Sequence, residues 1–161
     1  MTTIRRLRPD DDPRDLIALS RHFFEEYAAH HEFFQLDELR DEDIVGFFSR
    51  SLNTEEGATF VAELEGRTVG YITAFVRPQP AFWQVKGYGA ISGLMVHPEH
   101  RRQGLAGRLL GEAVGFLRLK GVRYYTVYTA AANQVAIAFY EGHGMTPLHL
   151  TMIGETEGSL E

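Results

Sequence analysis

Between Asp15 and Tyr27 the large apolar residues fall at Leu16, Leu19, Phe23 and Tyr27, spacings that put them on one face of a helix. Pro9 to Pro13 ahead of them reads as the helix start. A second helix is expected over 41–51, with Ile44, Phe47 and Phe48 as its apolar face. Residues 3–8 fit a short edge strand, and 59–64, 68–76 and 88–96 read as strands. Glu65-Gly66 joins two of these in a tight turn, because glycine tolerates positive φ, so they should pair antiparallel. Helical spacing returns from Gly104 to Lys120, with Leu105, Leu109, Ala113, Val114 and Leu117 inward and Gly121 as the stop. Residues 123–129 read as the next strand and 133–142 as a short helix, and Met145 to Ile153 can return as a last strand. This order predicts an α+β fold in a single domain spanning 1–161. Its sheet is mixed and mostly antiparallel, flanked by helices, with a parallel strand pair formed across the Gly104 helix.

Composition narrows the chemistry. The 161 residues are 44% hydrophobic, 12% aromatic and 24% charged, the balance of a globular domain large enough to bury a core. Cysteine is absent, which removes disulfides, thiolate metal sites and any thioester formed on the enzyme. A formal charge of −6 argues against general nucleic-acid binding and is compatible with a cationic acceptor. No apolar stretch follows the basic residues near Met1 and no run is long enough to cross a bilayer, so a cytoplasmic protein with no membrane partner is expected.

The densest chemical signal is a strand ending at Val96, a loop carrying Arg101, Arg102 and Gln103, and Gly104 at the start of an amphipathic helix. The first turn of a helix has N–H groups without internal partners, and the helix dipole adds positive charge there. Gly104, Ala106 and Gly107 are small enough to let phosphate oxygens approach, and Arg101 and Arg102 can add charge-assisted hydrogen bonds.

The run from Ala90 to Val96, then His97-Pro98-Glu99-His100-Arg101-Arg102-Gln103-Gly104-Leu105-Ala106-Gly107, resembles the acetyl-CoA motif of the GCN5-related N-acetyltransferase (GNAT) superfamily. Asn133 to Met145 resembles that superfamily's second motif, in the right order and at a suitable separation. The resemblance implies direct transfer of acetyl from acetyl-CoA to a primary amine of a small molecule, amino acid, polyamine or peptide, with no metal. It implies that acetyl-CoA sits where the strand ending at Val96 splays from the strand ending near Thr129. Backbone groups of Leu94, Met95 and Val96 would pair with the pantetheine arm like an added strand. The loop Arg101, Arg102, Gln103, Gly104, Leu105 and Ala106 would hold the pyrophosphate. Asn133 and Tyr140 match cofactor-contacting positions, and Tyr140 matches the residue whose hydroxyl approaches the thioester sulfur as general acid. A phenol is protonated at neutral pH and can donate to a departing thiolate. Asn133 is also a natural helix N-cap.

The pattern departs at the strand before the loop. Many superfamily members place there a glutamate that deprotonates the incoming ammonium, whereas this chain has Ser92 and Gly93. An unactivated serine is not a useful base at neutral pH. Glu25, Glu26, His30 and His31 are the candidate replacements, since the first two helices form one side of the acceptor site in this superfamily. The His30-His31 pair equally fits a helix C-terminus. Histidine spacing gives no metal signature. Phe82, Trp83 and Tyr88 fit either an acceptor wall or a homodimer contact. Two other readings remain: a non-catalytic acyl-CoA-binding regulatory module, made credible by the missing glutamate, and a nucleotide-binding protein using the same helix start. The second lacks both the G-x-x-x-x-G-K-[ST] and the G-x-G-x-x-G signatures.

Overall fold

The computed structural model describes residues 1–158. Its elements follow in the order β1 (Thr3–Arg6), α1 (Arg14–Ala28), a 3-10 turn (Glu32–Phe34), α2 (Asp41–Leu52), β2 (Gly57–Leu64), β3 (Arg67–Pro78), β4 (Gly87–Val96), a second 3-10 turn (Pro98–His100), α3 (Leu105–Leu119), β5 (Tyr125–Val127) and α4 (Gln134–Gly142). The five strands form one sheet in chain order. Pairings from β1 to β4 are antiparallel, and β4 with β5 is parallel because α3 crosses between them. Glu65 and Gly66 both adopt positive φ, 50° and 76°, which is the twist a two-residue hairpin needs.

Alternation along β2, β3 and β4 divides the core in two. On one face Ile72, Ile91 and Val96 meet Leu105, Leu109, Ala113, Phe116 and Leu117 of α3. On the other, Val61, Tyr71 and Met95 meet Leu16 and Leu19 of α1 and Ile44 and Phe48 of α2. A buried Ser51–Thr59–Thr73 hydroxyl chain, with both links at 2.8 Å, satisfies its own polar groups between the strands and α2.

Val114 faces inward, partly buried against this core, and Leu110 and Phe116 complete that face of α3. Two expectations are corrected. β5 is three residues rather than seven. No strand forms over 145–153: Leu148, Leu150, Met152 and Ile153 are 75%, 78%, 80% and 58% exposed, and the segment pairs with no strand among the described residues. Among the described residues, no helix is long and apolar enough to cross a membrane.

Candidate active site

β4 pairs with β5 only through Gly89, Ala90 and Ile91, and five further residues, Ser92 to Val96, continue beyond the last partner. On its other side β4 stays paired with β3 as far as Val96. The result is a cleft with one bare backbone edge. The register jumps from Ile91 to Gly93 opposite Ala74 and Thr73, so Ser92 is a bulge residue.

The bulge decides which backbone groups face the cleft. Before it, the Gly89 N–H donates to Tyr124 on the β5 side. After it, the His97 N–H donates to Val69 on the β3 side. Two-residue alternation therefore turns Leu94 and Val96 toward the cleft and Met95 toward β3. The Met95 side chain is buried under α1 and α2. Of the three residues expected to pair with a pantetheine arm, Leu94 and Val96 present their backbone to the cleft.

At the cleft's end the chain turns through Pro98–His100 into the loop before α3. Arg102 and Gly104 take positive φ, 61° and 81°. No acceptor among the described residues meets the N–H groups from Arg102 to Gly107, because the first helical bond runs from Arg108 to the Gly104 carbonyl. Six successive free donors at a helix start make an anion cradle. A Cβ on Gly104 would meet nothing within 4 Å, so the space above it is open. Gly107 serves a different purpose: a Cβ there would lie 3.2 Å from Nε2 of His143, so its smallness lets α3 and the end of α4 approach each other.

Arg101 is engaged within the protein. Its Nε donates to the Val96 carbonyl at 2.8 Å, and its Nη2 meets Glu26 at 2.8 Å. The guanidinium thus pins the loop to the end of β4 and to α1, leaving Arg102 and Gln103 as the loop's exposed polar side chains with no ion-pair or hydrogen-bond partner among the described residues. Glu26 also meets His22 at 3.0 Å. Both partners of the Arg101–Glu26 pair are more than a third exposed, so the pair itself contributes at most about 1 kcal/mol. Glu26→Gln is accordingly expected to weaken acetyl-CoA binding no more than about fivefold. Arg101→Ala, which also frees the Val96 carbonyl, should weaken it by about tenfold or more. Calorimetric titration of both variants checks this order.

Asn133 caps α4, its Oδ1 accepting the Ala136 N–H at 3.1 Å. Tyr140, the buried residue of α4, is 9% exposed, and its hydroxyl forms no hydrogen bond among the described residues. Burial, reinforced by the neighbouring Tyr125, pushes its pKa up to about 12. Thr129, just past β5, has a buried hydroxyl with no hydrogen-bond partner among the described residues. Nothing in the sequence marks it, since threonine is ordinary at a strand end.

The candidate bases are dispersed. Glu25 is exposed, Glu26 is bound to Arg101, and His31 caps the first 3-10 turn by accepting the Phe33 N–H at 3.0 Å. His30 packs edge-on against Tyr27. Ser92 is exposed on the bulge with no hydrogen-bond partner among the described residues, and Gly93 lies under the Tyr71 ring. His97, Glu99 and His100 bring ligand atoms within 4.8 Å of one another, and the Nδ1 of His97 accepts the Glu99 N–H at 3.2 Å, a bond that shapes the turn. Phe82 and Trp83 lie on the exposed β3–β4 hairpin, at the far end of β4 from the anion cradle.

With no carboxylate at Ser92, deprotonation should not depend on this strand position. Ser92→Ala is expected to keep kcat/KM within about threefold, below the usual span of general-base effects. The alkaline rise of kcat/KM should follow the pKa of whichever amine is used, because only the neutral amine carries the attacking lone pair. The rise should survive His30→Gln and His31→Gln. Rate–pH profiles with two amines of different basicity test both statements.

The model of the acetyltransferase (GNAT) family matches residues 4–145. An uncharacterized N-acetyltransferase of Archaeoglobus fulgidus is 26% identical over 101 residues, which cover 63% of this chain and 68% of that protein. Among solved structures, the aminoglycoside N-acetyltransferase AAC(6')-Iy in complex with CoA superposes with a TM-score of 0.78 at 16% identity, over 98% of this chain and 96% of that one. An aminoglycoside acetyltransferase from an uncultured soil metagenomic sample, meta-AAC0020 in complex with trehalose, superposes at 0.67 with 25% identity, over 99% and 97%.

Proposed function

Since the chain belongs to the acetyltransferase (GNAT) family and is an acetyl-CoA-dependent N-acetyltransferase, we propose that it acetylates a primary amine of a small polycationic molecule in the cleft between β4 and β5. The observation that carries the placement is the bare β4 edge leading into six free N–H donors at the start of α3. In this reading the cradle from Arg102 to Gly107 takes the pyrophosphate, and Leu94 and Val96 pair with the pantetheine arm. Arg101 holds the loop in shape. The amine nitrogen attacks the thioester carbonyl carbon, the C–S bond breaks, and the proton lost by nitrogen ends on the CoA sulfur. Tyr140 stands at that sulfur as hydrogen-bond donor.

The acceptor class is argued from the connection between α1 and α2. Glu25, Glu32, Asp37 and Glu38 are exposed and form no ion pair among the described residues. Beside them Tyr27, Phe33 and Phe34 stack edge to face, at 4.6 Å and 5.5 Å between centroids, with Phe33 70% exposed. Carboxylates next to aromatic faces suit an amine carrying several positive charges. Glu26, on the last turns of α1, ties this rim to the phosphate loop. Polyamines and aminoglycosides both carry such charges, and two structural neighbours are named for aminoglycosides.

A panel of mono-, di- and polyamines, followed by release of the CoA thiol, tests the proposal. Turnover rising with acceptor charge is the expected result. Tight acetyl-CoA binding with no turnover on any amine would instead favour the non-catalytic regulatory module. Asp37→Asn with Glu38→Gln should raise KM for a triamine by about fivefold, the scale of a few exposed charges, and leave kcat unchanged. KM for a monoamine should move far less.

A further inference from the structure

A 3-10 turn brings side chains three residues apart to the same side, because it completes a turn every three residues. Pro98–His100 is such a turn with His97 as its N-cap, so His97 and His100 fall together. Their ring centroids are 5.7 Å apart. Glu99 stands between them in sequence, and one ligand atom from each of the three residues lies within 4.8 Å of the others. Linear spacing carries no metal signature here, but the turn supplies the convergence that spacing lacks.

The donor atoms are also available. The Nδ1 of His97 accepts the Glu99 N–H at 3.2 Å, so this nitrogen carries a lone pair rather than a proton. Ligation there displaces one long hydrogen bond and releases no proton. The side chains of Glu99 and His100 have no hydrogen-bond or ion-pair partner among the described residues. The two nearby guanidinium groups are already neutralised, Arg67 by Asp15 at 2.6 Å and Arg101 by Glu26 at 2.8 Å.

All three residues line the cavity of about 440 Å³ between α1 and the turn, and His22 lines it from α1. The Nε2 of His22 meets the Glu26 carboxylate at 3.0 Å, a pairing that fixes the imidazole and leaves Nδ1 as an acceptor. A cavity with such a wall has room and a partner for metal-bound water.

We propose that His97, Glu99 and His100 bind one divalent transition-metal cation, of which zinc fits best, with water from the cavity completing its coordination. Two imidazoles and a carboxylate are a zinc donor set, and a chain without cysteine offers no thiolate to draw softer ions. Magnesium and calcium call for more oxygen ligands than one carboxylate supplies. The site is separate from the cleft: the cavity reaches the β3 side of the end of β4 through Arg67, Thr68 and Val69, whereas the cleft opens on the β5 side. Acetyl transfer does not need the cation. Its effect falls on the turn that leads into Arg101, which it fixes by replacing one weak hydrogen bond with three ligands.

The test titrates cobalt(II), a spectroscopic stand-in for zinc, into the full chain free of any affinity tag. One cobalt per chain with the visible absorption of a low-coordinate site is expected, displaced by zinc and indifferent to excess magnesium. His100→Ala and Glu99→Gln should each weaken zinc by about tenfold or more, at least the cost of losing an outer partner of a metal ligand, with native circular dichroism. His149→Ala, on the exposed tail, should leave it unchanged. Saturating zinc should raise the thermal midpoint of the parent and not that of His100→Ala, because the converged ligands exist only in the folded chain. In the unaltered protein, paramagnetic shifts from cobalt should be largest at the amides of His97 to Arg101. No binding at micromolar cobalt, affinity indifferent to both ligand substitutions, or shifts centred elsewhere would overturn the proposal. These readouts use neither acetyl-CoA nor an amine, so their failure is distinct from failure of the acetyl-transfer reading.

Discussion

Tyr140→Phe is expected to lower kcat by about 100-fold, the lower range of general-acid effects, while acetyl-CoA affinity stays within about twofold. The ring is buried on α4 and its hydroxyl has no partner among the described residues, so removing one oxygen leaves packing intact and orphans no neighbour. Stability should hold. A pKa raised to about 12 keeps the phenol protonated throughout the working range. It also makes this group a poor donor of a whole proton to a thiolate, whose reference pKa is about 8.5. In the proposed site Tyr140 would therefore act mainly by a hydrogen bond that strengthens as charge develops on the leaving sulfur, the amine's proton following. Ionisation of Tyr140 should not depress the rate below pH 10. Above that, the unfolded chain ionises its tyrosines near pH 10 while buried Tyr71 and Tyr140, both pushed to about 12, stay neutral, so stability falls as pH rises from 10 toward 12. Single-turnover rates at saturating acetyl-CoA separate chemistry from product release. An unchanged single-turnover rate in the Phe variant would reduce Tyr140 to a packing residue.

Gly104→Val is expected to weaken acetyl-CoA binding by about 30-fold or more, the loss of charge-assisted hydrogen bonds worth about 2 kcal/mol. Two causes act together at this position. A φ of 81° is strained for any residue with a Cβ, most of all a β-branched one, and in the proposed site the open space the side chain would enter is taken by the pyrophosphate. Gly104→Asn separates them, because asparagine tolerates left-handed backbone but still fills the space. Affinity recovered by asparagine would assign the effect to strain. Affinity still lost, in a variant with native circular dichroism, would assign it to the blocked approach.

The helices and the first hairpin were legible because periodicity is local: Leu16, Leu19, Ile44 and Phe48 follow the 3.6-residue repeat, and Glu65-Gly66 carries its own turn geometry. The glycine start of α3 was legible for the same reason, being written in one continuous loop. What sequence could not give depends on partners far along the chain. Arg101 reads locally as a phosphate ligand, yet its guanidinium meets Glu26, 75 residues away, and the carbonyl of Val96. Gly107 reads as room for phosphate, and a Cβ there would also meet the ring of His143. Local pattern groups Met95 with Leu94 and Val96, and the bulge at Ser92 reverses the alternation and turns Met95 toward β3. A signal existed, since a glycine inside a strand pattern often marks a bulge, and Gly93 is that glycine. The strand expected over 145–153 has the right pattern, but a strand needs an edge to bond to, and pattern alone does not say whose.

In the proposed site acetyl-CoA lies along the bare edge of β4 with its pyrophosphate on the loop before α3. Amide chemical shifts of the isotope-labelled protein, followed as CoA is titrated in, test it most directly. The largest changes are expected at the N–H groups of Arg102 to Gly107 and at Leu94 and Val96, with Met95, bonded toward β3, moving much less. Changes centred instead on the cavity of about 440 Å³ between α1 and the Pro98–His100 turn, lined by Asp15, His22, Arg67 and His97, with the Arg102–Gly107 amides unmoved, would contradict it.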